Sequence, residues 1–164
     1  MKLVLLGAGI RTPLLVSGLI RRQESLPLTE VVLYDADPRR LETMGRFVGH
    51  LADRWGARFK VTYAHDFREA ARGAAFIFSA IRVGQEEGRI RDEEIALKHG
   101  VLGQETTGPG GFAMALRTIP VMLDYARVIR EVAPQAWLIN FTNPSGLITQ
   151  ALTTYSPVRA IGIC

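Results

Sequence analysis

Cysteine is almost missing from this chain: of its 164 residues only Cys164 carries a thiol. An internal disulfide is therefore excluded, and the scarcity suits a reducing compartment, so a cytoplasmic setting is expected. Long apolar runs are missing too. The stretch 3–10 is ended by Arg11, and 74–81 is only eight residues long, against the roughly 20 needed to span a bilayer. The first stretch is expected to be a buried strand rather than a secretory leader, because Arg11, Thr12 and Pro13 stand where small residues and a cleavage site belong. Neither sign of charge dominates, with 20 Lys+Arg against 16 Asp+Glu, a net +4 that suits an anionic small ligand as readily as nucleic acid. What is present is ordinary: 48% hydrophobic and 22% charged residues exclude a disordered or fibrous chain and provide one domain with a real core.

Residues 2–6 and 31–34 are short, leucine-rich or β-branched, and almost unbroken in apolarity. Strands buried on both faces of a parallel sheet read this way, and two of them need a crossover. Residues 12–22 supply it, with Thr12 as a cap, Pro13 preset for the first turn, and Leu14, Leu15, Gly18 and Leu19 on one face. The pattern repeats: Asp37 caps and Pro38 opens a helix to about Trp55, with Leu41, Met44, Phe47, Val48 and Leu51 aligned. Strands are expected at 60–64, 75–80, 137–141 and 159–163, a short helix after Asp66, and helices at 113–132 and 144–154. This alternation predicts one doubly wound, mostly parallel sheet of the Rossmann-like kind, a three-layer αβα domain over residues 1–164 with strand order 3-2-1-4-5-6. Residues 82–112 read as one long irregular stretch, which in a compact domain is functional or disordered.

Gly7-Ala8-Gly9-Ile10-Arg11-Thr12 lies between the first strand and the first helix, where a dinucleotide fingerprint has to sit. Gly7 permits the tight turn and Gly9 lets backbone approach a pyrophosphate at the helix N-terminus. Thr12 replaces the third glycine, and a structural turn is the alternative. Asp35, about twenty residues on, is placed to accept ribose hydroxyls and repel a 2′-phosphate, which favours NAD; Arg39 and Arg40 could neutralise it and admit NADP. Ile81-Arg82-Val83-Gly84 leaves the fourth strand beside the same crevice. Arg89, Arg91, Asp92, Glu93, Glu94 and Lys98 read as a solvated helical face, with Glu87–Arg91 and Glu94–Lys98 paired at i,i+4. In 103–112, four glycines and a proline surround Gln104, Glu105 and two threonines, a mixture that shapes backbone around something polar or makes a flexible loop. Asn143 before Pro144 is expected to be extended, with its amide aimed at the crevice, or to be only an N-cap.

Taken in order, GAGIRTP, LYDAD, IRVG, GQETTGPGGF and NFTNPSG resemble the NAD-dependent family 4 of glycoside hydrolases, in particular its 6-phospho-β-glucosidase branch. The last two motifs are specific, since lactate and malate dehydrogenases share the fold and an Asn-Pro after the fifth strand but not GQETTGPGG. The family is an exception to the paired-carboxylate mechanism of glycosidases. The resemblance implies hydride abstraction from C3 of the sugar by NAD, removal of the acidified C2 proton by a tyrosine, and an enediolate stabilised by a divalent metal, usually manganese. Elimination of the leaving group, water addition and hydride return would follow.

By position, the resemblance assigns Gly7, Gly9, Ile10, Arg11, Thr12, Asp35, Arg82 and Asn140 to the cofactor, Arg89 to a 6-phosphate, Glu105 and Asn143 to sugar hydroxyls, and Cys164 to the metal. It implies a phosphorylated sugar partner and a homo-oligomer, and no nucleic acid or membrane partner. The family's general acid, metal-binding histidine, basic tyrosine and second domain have no counterpart here, and His50, His65 and His99 match none of its metal positions. One thiolate does not make a catalytic metal site, which takes about three protein ligands. The expectation is a cofactor domain that is inactive alone; the alternatives are a non-catalytic nucleotide- or partner-binding module and a lactate/malate-dehydrogenase-like fragment.

Overall fold

Within Lys2–Leu6 (β1), side chains alternate between the two faces of the sheet, so Leu3 and Leu5 point one way and Val4 and Leu6 the other. All four are buried, which requires cover on both faces. In the computed structural model, which describes residues 1–164, α1 (Thr12–Arg21) and α2 (Pro38–Arg54) cover the Leu3 face through Val16, Leu41 and Val48. The Val4 face is covered by α3 (Phe67–Ala71), α5 (Gly108–Val132) and α6 (Ser145–Tyr155), through Phe67, Met122, Ile129, Ile148 and Leu152. Each fully buried side chain of this size contributes about 1.5–3 kcal/mol. The expected three-layer architecture is what these two cores produce.

The remaining strands are β2 (Glu30–Tyr34), β3 (Lys60–Tyr63), β4 (Phe76–Ser79), β5 (Trp137–Asn140) and β6 (Arg159–Gly162), and every pairing is parallel in the order β3-β2-β1-β4-β5-β6. Register runs Leu3 to Val31 on one side of β1 and Leu3 to Phe76 on the other. The winding reverses between β1 and β4, so the connections leaving their carboxyl ends diverge and open a crevice there. No helix is long and apolar enough to cross a membrane.

Three expectations are corrected. Thr12 does not cap α1: Arg11 holds that position, no side chain caps the helix, and Thr12 is its first, buried residue. Residues 82–112 are not one irregular stretch, because residues 85–98 form α4 (Gln85–Lys98), which packs on α5. Finally, α5 begins at Gly108 rather than 113, since Pro109 is preset for a first turn and Gly110 and Gly111 let that turn lie directly on the backbone of Gln104 and Thr106. Asp37 does cap α2, its Oδ1 accepting the Arg39 and Arg40 N–H at 2.9 and 3.2 Å.

Candidate functional site

Gly7 turns the chain out of β1 with φ +109°, and a Cβ there would sit 2.7 Å from the Ala80 carbonyl oxygen, so only glycine fits. Gly9 differs: a Cβ would meet nothing within 4 Å and would point into open space. Protein packing does not require that glycine. The backbone N–H groups of Gly9, Ile10 and Arg11 find no acceptor in the protein and precede the uncapped first turn of α1. Consecutive free amides at a helix N-terminus make a cradle for an anion, and this one fits the pyrophosphate of a dinucleotide. Ile10 is 89% exposed at the rim, and the Arg11 guanidinium lies 5.8 Å from the centre of the Phe141 ring.

Asp35 directly follows β2, across from this turn, its side chain largely buried. Its Oδ2 accepts the Ala8 N–H at 2.8 Å and its Oδ1 the Asp37 N–H at 2.9 Å. The carboxylate thus holds the glycine turn in shape, and each oxygen keeps a second acceptor position for a ribose hydroxyl. Of the two arginines able to offset it, Arg40 is the one alongside, 3.8 Å from Oδ2; Arg39 is exposed.

The crevice between these elements has a volume of about 850 Å³. Its other wall comes from the β4–α4 connection and the segment before α5, where Glu105 sits between two guanidiniums. Arg82 Nη1 is 2.9 Å from its Oε1 and Arg89 Nη1 3.4 Å from its Oε2. Arg82 also reaches Glu86 at 3.3 Å, and its buried Nη1 is not aligned for a hydrogen bond. Arg89 donates to Glu93 at 2.7 Å. That bond, with the Glu105 charge, raises the Arg89 pKa above its already high ordinary value, so the side chain is cationic at any working pH. The i,i+4 pairs on this face are therefore Arg82–Glu86 and Arg89–Glu93, not Glu87–Arg91 and Glu94–Lys98, because Arg82 and Arg89 turn toward the crevice and collect the acids there.

The structure adds a pair that sequence reasoning missed. Arg117 of α5 donates to both oxygens of Asp92 on α4, at 2.6 and 3.2 Å, and through Nε to the Val83 carbonyl at 3.0 Å. Its guanidinium lies against Gly84 (φ +83°), where a Cβ would come within 2.7 Å of Nε, and against Gly88. The Asp92 hydrogen bond raises the Arg117 pKa. Arg117 thereby fixes the segment that carries Arg82 and Arg89. The only sequence signal for this was the spacing of Gly84 and Gly88.

Asn143 lines the crevice, and its peptide bond to Pro144 is cis, a geometry found essentially only before proline and not announced by the sequence. Asn140 does not line it. The residue is fully buried beneath, and its Nδ2 donates to the Thr142 carbonyl and to Thr149 Oγ1 at 3.2 and 3.1 Å, so it braces the loop that carries Asn143. Tyr125 of α5 stands between the crevice and a shallower groove of about 400 Å³; burial, and then Tyr34 beside it, push its hydroxyl well above the ordinary tyrosine range and keep it protonated. Cys164 is exposed, and no group of three or more His, Cys, Asp or Glu residues could hold a metal ion. Cys164 by itself does not complete a metal site, which takes about three protein ligands.

Comparison with known proteins fixes the family. The family 4 glycosyl hydrolase model matches residues 2–164. The chain belongs to that family. This family 4 chain is 42% identical, over 100% of its own length and 38% of the relative's, to a probable 6-phospho-beta-glucosidase of Bacillus subtilis. The 6-phospho-beta glucosidase of Thermotoga maritima, in a structure with manganese, NAD+ and glucose-6-phosphate, superposes with a TM-score of 0.93 at 38% identity, covering 100% of this chain and 40% of that one. A 6-phospho-alpha-glucosidase from gut microorganisms, in complex with NAD and Mn2+, also gives 0.93 at 32% identity, covering 99% of this chain and 38% of that one. The family 4 chain thus spans about two-fifths of the length of these relatives. Likeness to the lactate dehydrogenase of Eimeria maxima, 16% identical with a TM-score of 0.70, is a likeness of fold alone.

Proposed function

We propose that residues 1–164 form the NAD-binding domain of a 6-phospho-β-glucosidase. The observation that carries this is the cradle at Gly9: three unpaired amides and an open glycine at the head of α1, facing Asp35 across the crevice. In this reading the backbone of residues 7–12 takes the pyrophosphate, and Asp35 takes the adenosine ribose while holding Ala8 in place. Bound NAD supplies a hydride acceptor. Arg89 takes the 6-phosphate, exchanging part of its contact with Glu105 for charge-assisted bonds to phosphate oxygens. Glu105 and Asn143 orient sugar hydroxyls, Arg82 holds Glu105 in place, and Asn140 fixes the Asn143 loop. The β-glucoside preference is supported by the higher identity to β-glucosidases than to the α-glucosidase compared. Exposed Ile95, Leu97 and Leu102, around the end of α4, support self-association.

The substrate half of this reading is tested at Arg89. In an enzyme of the relatives' full length containing this domain, Arg89→Ala should raise KM for a 6-phosphoglucoside by about ten- to a hundredfold, the loss of one or two charge-assisted bonds. KM for the unphosphorylated glucoside should stay within about twofold, since it lacks the charge that Arg89 recognises. Equal effects on both substrates would make Arg89 a structural residue.

A further inference from the structure

The adenosine end of the crevice carries more charge than Asp35 alone. Asp37 stands two residues on, and Arg40 lies against both carboxylates, with Nη1 3.8 Å from Asp35 Oδ2 and Nη2 3.7 Å from Asp37 Oδ2. Asp35 lines the crevice, and Asp37, which caps α2, adds a second negative charge beside it; with Arg40 the local sum is −1. The position of Arg40 is not left to chance. Its Nη2 donates to Gln85 Oε1 at 2.9 Å, a bond between α2 on one wall and α4 on the other, 45 residues apart in sequence. Gln85 itself holds φ +54°, the only non-glycine residue with positive φ, directly after Gly84 at +83°. A glutamine in the left-handed region is disfavoured, and such conformations persist where a surrounding arrangement requires them. Here the arrangement aims the amide at Arg40.

We propose, on the footing that the crevice holds a nicotinamide dinucleotide, that Arg40 is the specificity-determining residue for the coenzyme's ribose 2′ position, held in place by Gln85. The Asp35 and Asp37 carboxylates repel a 2′-phosphate. The Arg40 guanidinium offsets part of that repulsion and offers donors in the fork that phosphate oxygens accept. The site therefore prefers NAD while binding NADP with measurable affinity, and Arg40 sets the gap between the two. Arg40 is partly exposed and buries nothing in either core, so it can be replaced without endangering the fold.

The test is calorimetric titration of the 164-residue chain with NAD and with NADP, for the wild type, Arg40→Ala, Arg40→Lys and Gln85→Ala. Arg40→Ala should widen the NADP-to-NAD ratio of Kd values by about tenfold, almost entirely through weaker NADP binding, and high salt should shrink the change. Arg40→Lys keeps the charge but loses the fork and should fall between the wild type and Arg40→Ala, and Gln85→Ala, which frees the guanidinium, should shift the ratio the same way as Arg40→Ala but less. A ratio unchanged in Arg40→Ala while NAD still binds, or an equal loss of both coenzymes, overturns the proposal and leaves the NAD reading standing. If the wild type binds neither coenzyme, the nucleotide reading of the crevice fails and this assignment falls with it.

Discussion

Asp35→Ala is expected to weaken NAD binding by about a hundredfold in calorimetric titration, a loss of about 2.7 kcal/mol, which is the worth of one or two hydrogen bonds to a charged acceptor. The effect is large because the carboxylate acts twice. It offers acceptor positions to a ribose, and it already receives the Ala8 and Asp37 N–H groups at 2.8 and 2.9 Å. Alanine unties the glycine turn at the same time as it removes the acceptor. Asp35→Asn should be nearly as damaging, because one of its two terminal atoms becomes a donor and must face a backbone N–H. Retention of wild-type affinity in Asp35→Asn would show that the second oxygen does nothing, and the reading of Asp35 as a shaping residue would be wrong.

Arg117→Met is expected to lower the unfolding free energy by about 2 kcal/mol, the cost of leaving a largely buried carboxylate without its charge-assisted hydrogen bonds. Methionine fills much of the same volume but leaves the Asp92 carboxylate, 9% exposed, without its two hydrogen bonds. The Val83 carbonyl loses its donor as well. Urea unfolding of the variant measures the loss. The pairing explains why the effect should be asymmetric: Arg117→Met with Asp92→Leu removes both charges and should recover a large part of the stability. A double variant as unstable as Arg117→Met would place the stabilisation in packing rather than in the pair.

The fold was legible because its signals are local. Residues 3–6 are apolar on both sides of the strand, which only a covered parallel sheet accepts. Asp37-Pro38 is a helix start in its own right, and α2 begins there. Helix α4 was not legible as a packed element for a physical reason. Its buried residues are Asp92 and Ala96, a charge and a small side chain, while Ile90, Ile95 and Leu97 are more than half exposed. Hydrophobic periodicity therefore carries no information there. What holds α4 is Arg117, and an arginine inside a long amphipathic helix reads as solvated until a partner is placed beside it. At the site, Gly7, Gly9 and Asp35 could be named because the strand-turn-helix context assigns each a task. Arg40 and Gln85 could not be joined from sequence, since their contact depends on two helices meeting across the crevice.

Gly9→Val tests the central claim most directly. A Cβ at that position meets nothing within 4 Å in the protein, so the variant should fold and melt close to the wild type. Its branched carbons would occupy the space in front of the free Gly9, Ile10 and Arg11 amides where the pyrophosphate must lie. Titrated with NAD, the wild-type chain should show one saturable site, and Gly9→Val should show none at concentrations about a hundredfold above the wild-type Kd, a loss of at least about 2.7 kcal/mol. A folded Gly9→Val chain that binds NAD as the wild type does would contradict the account.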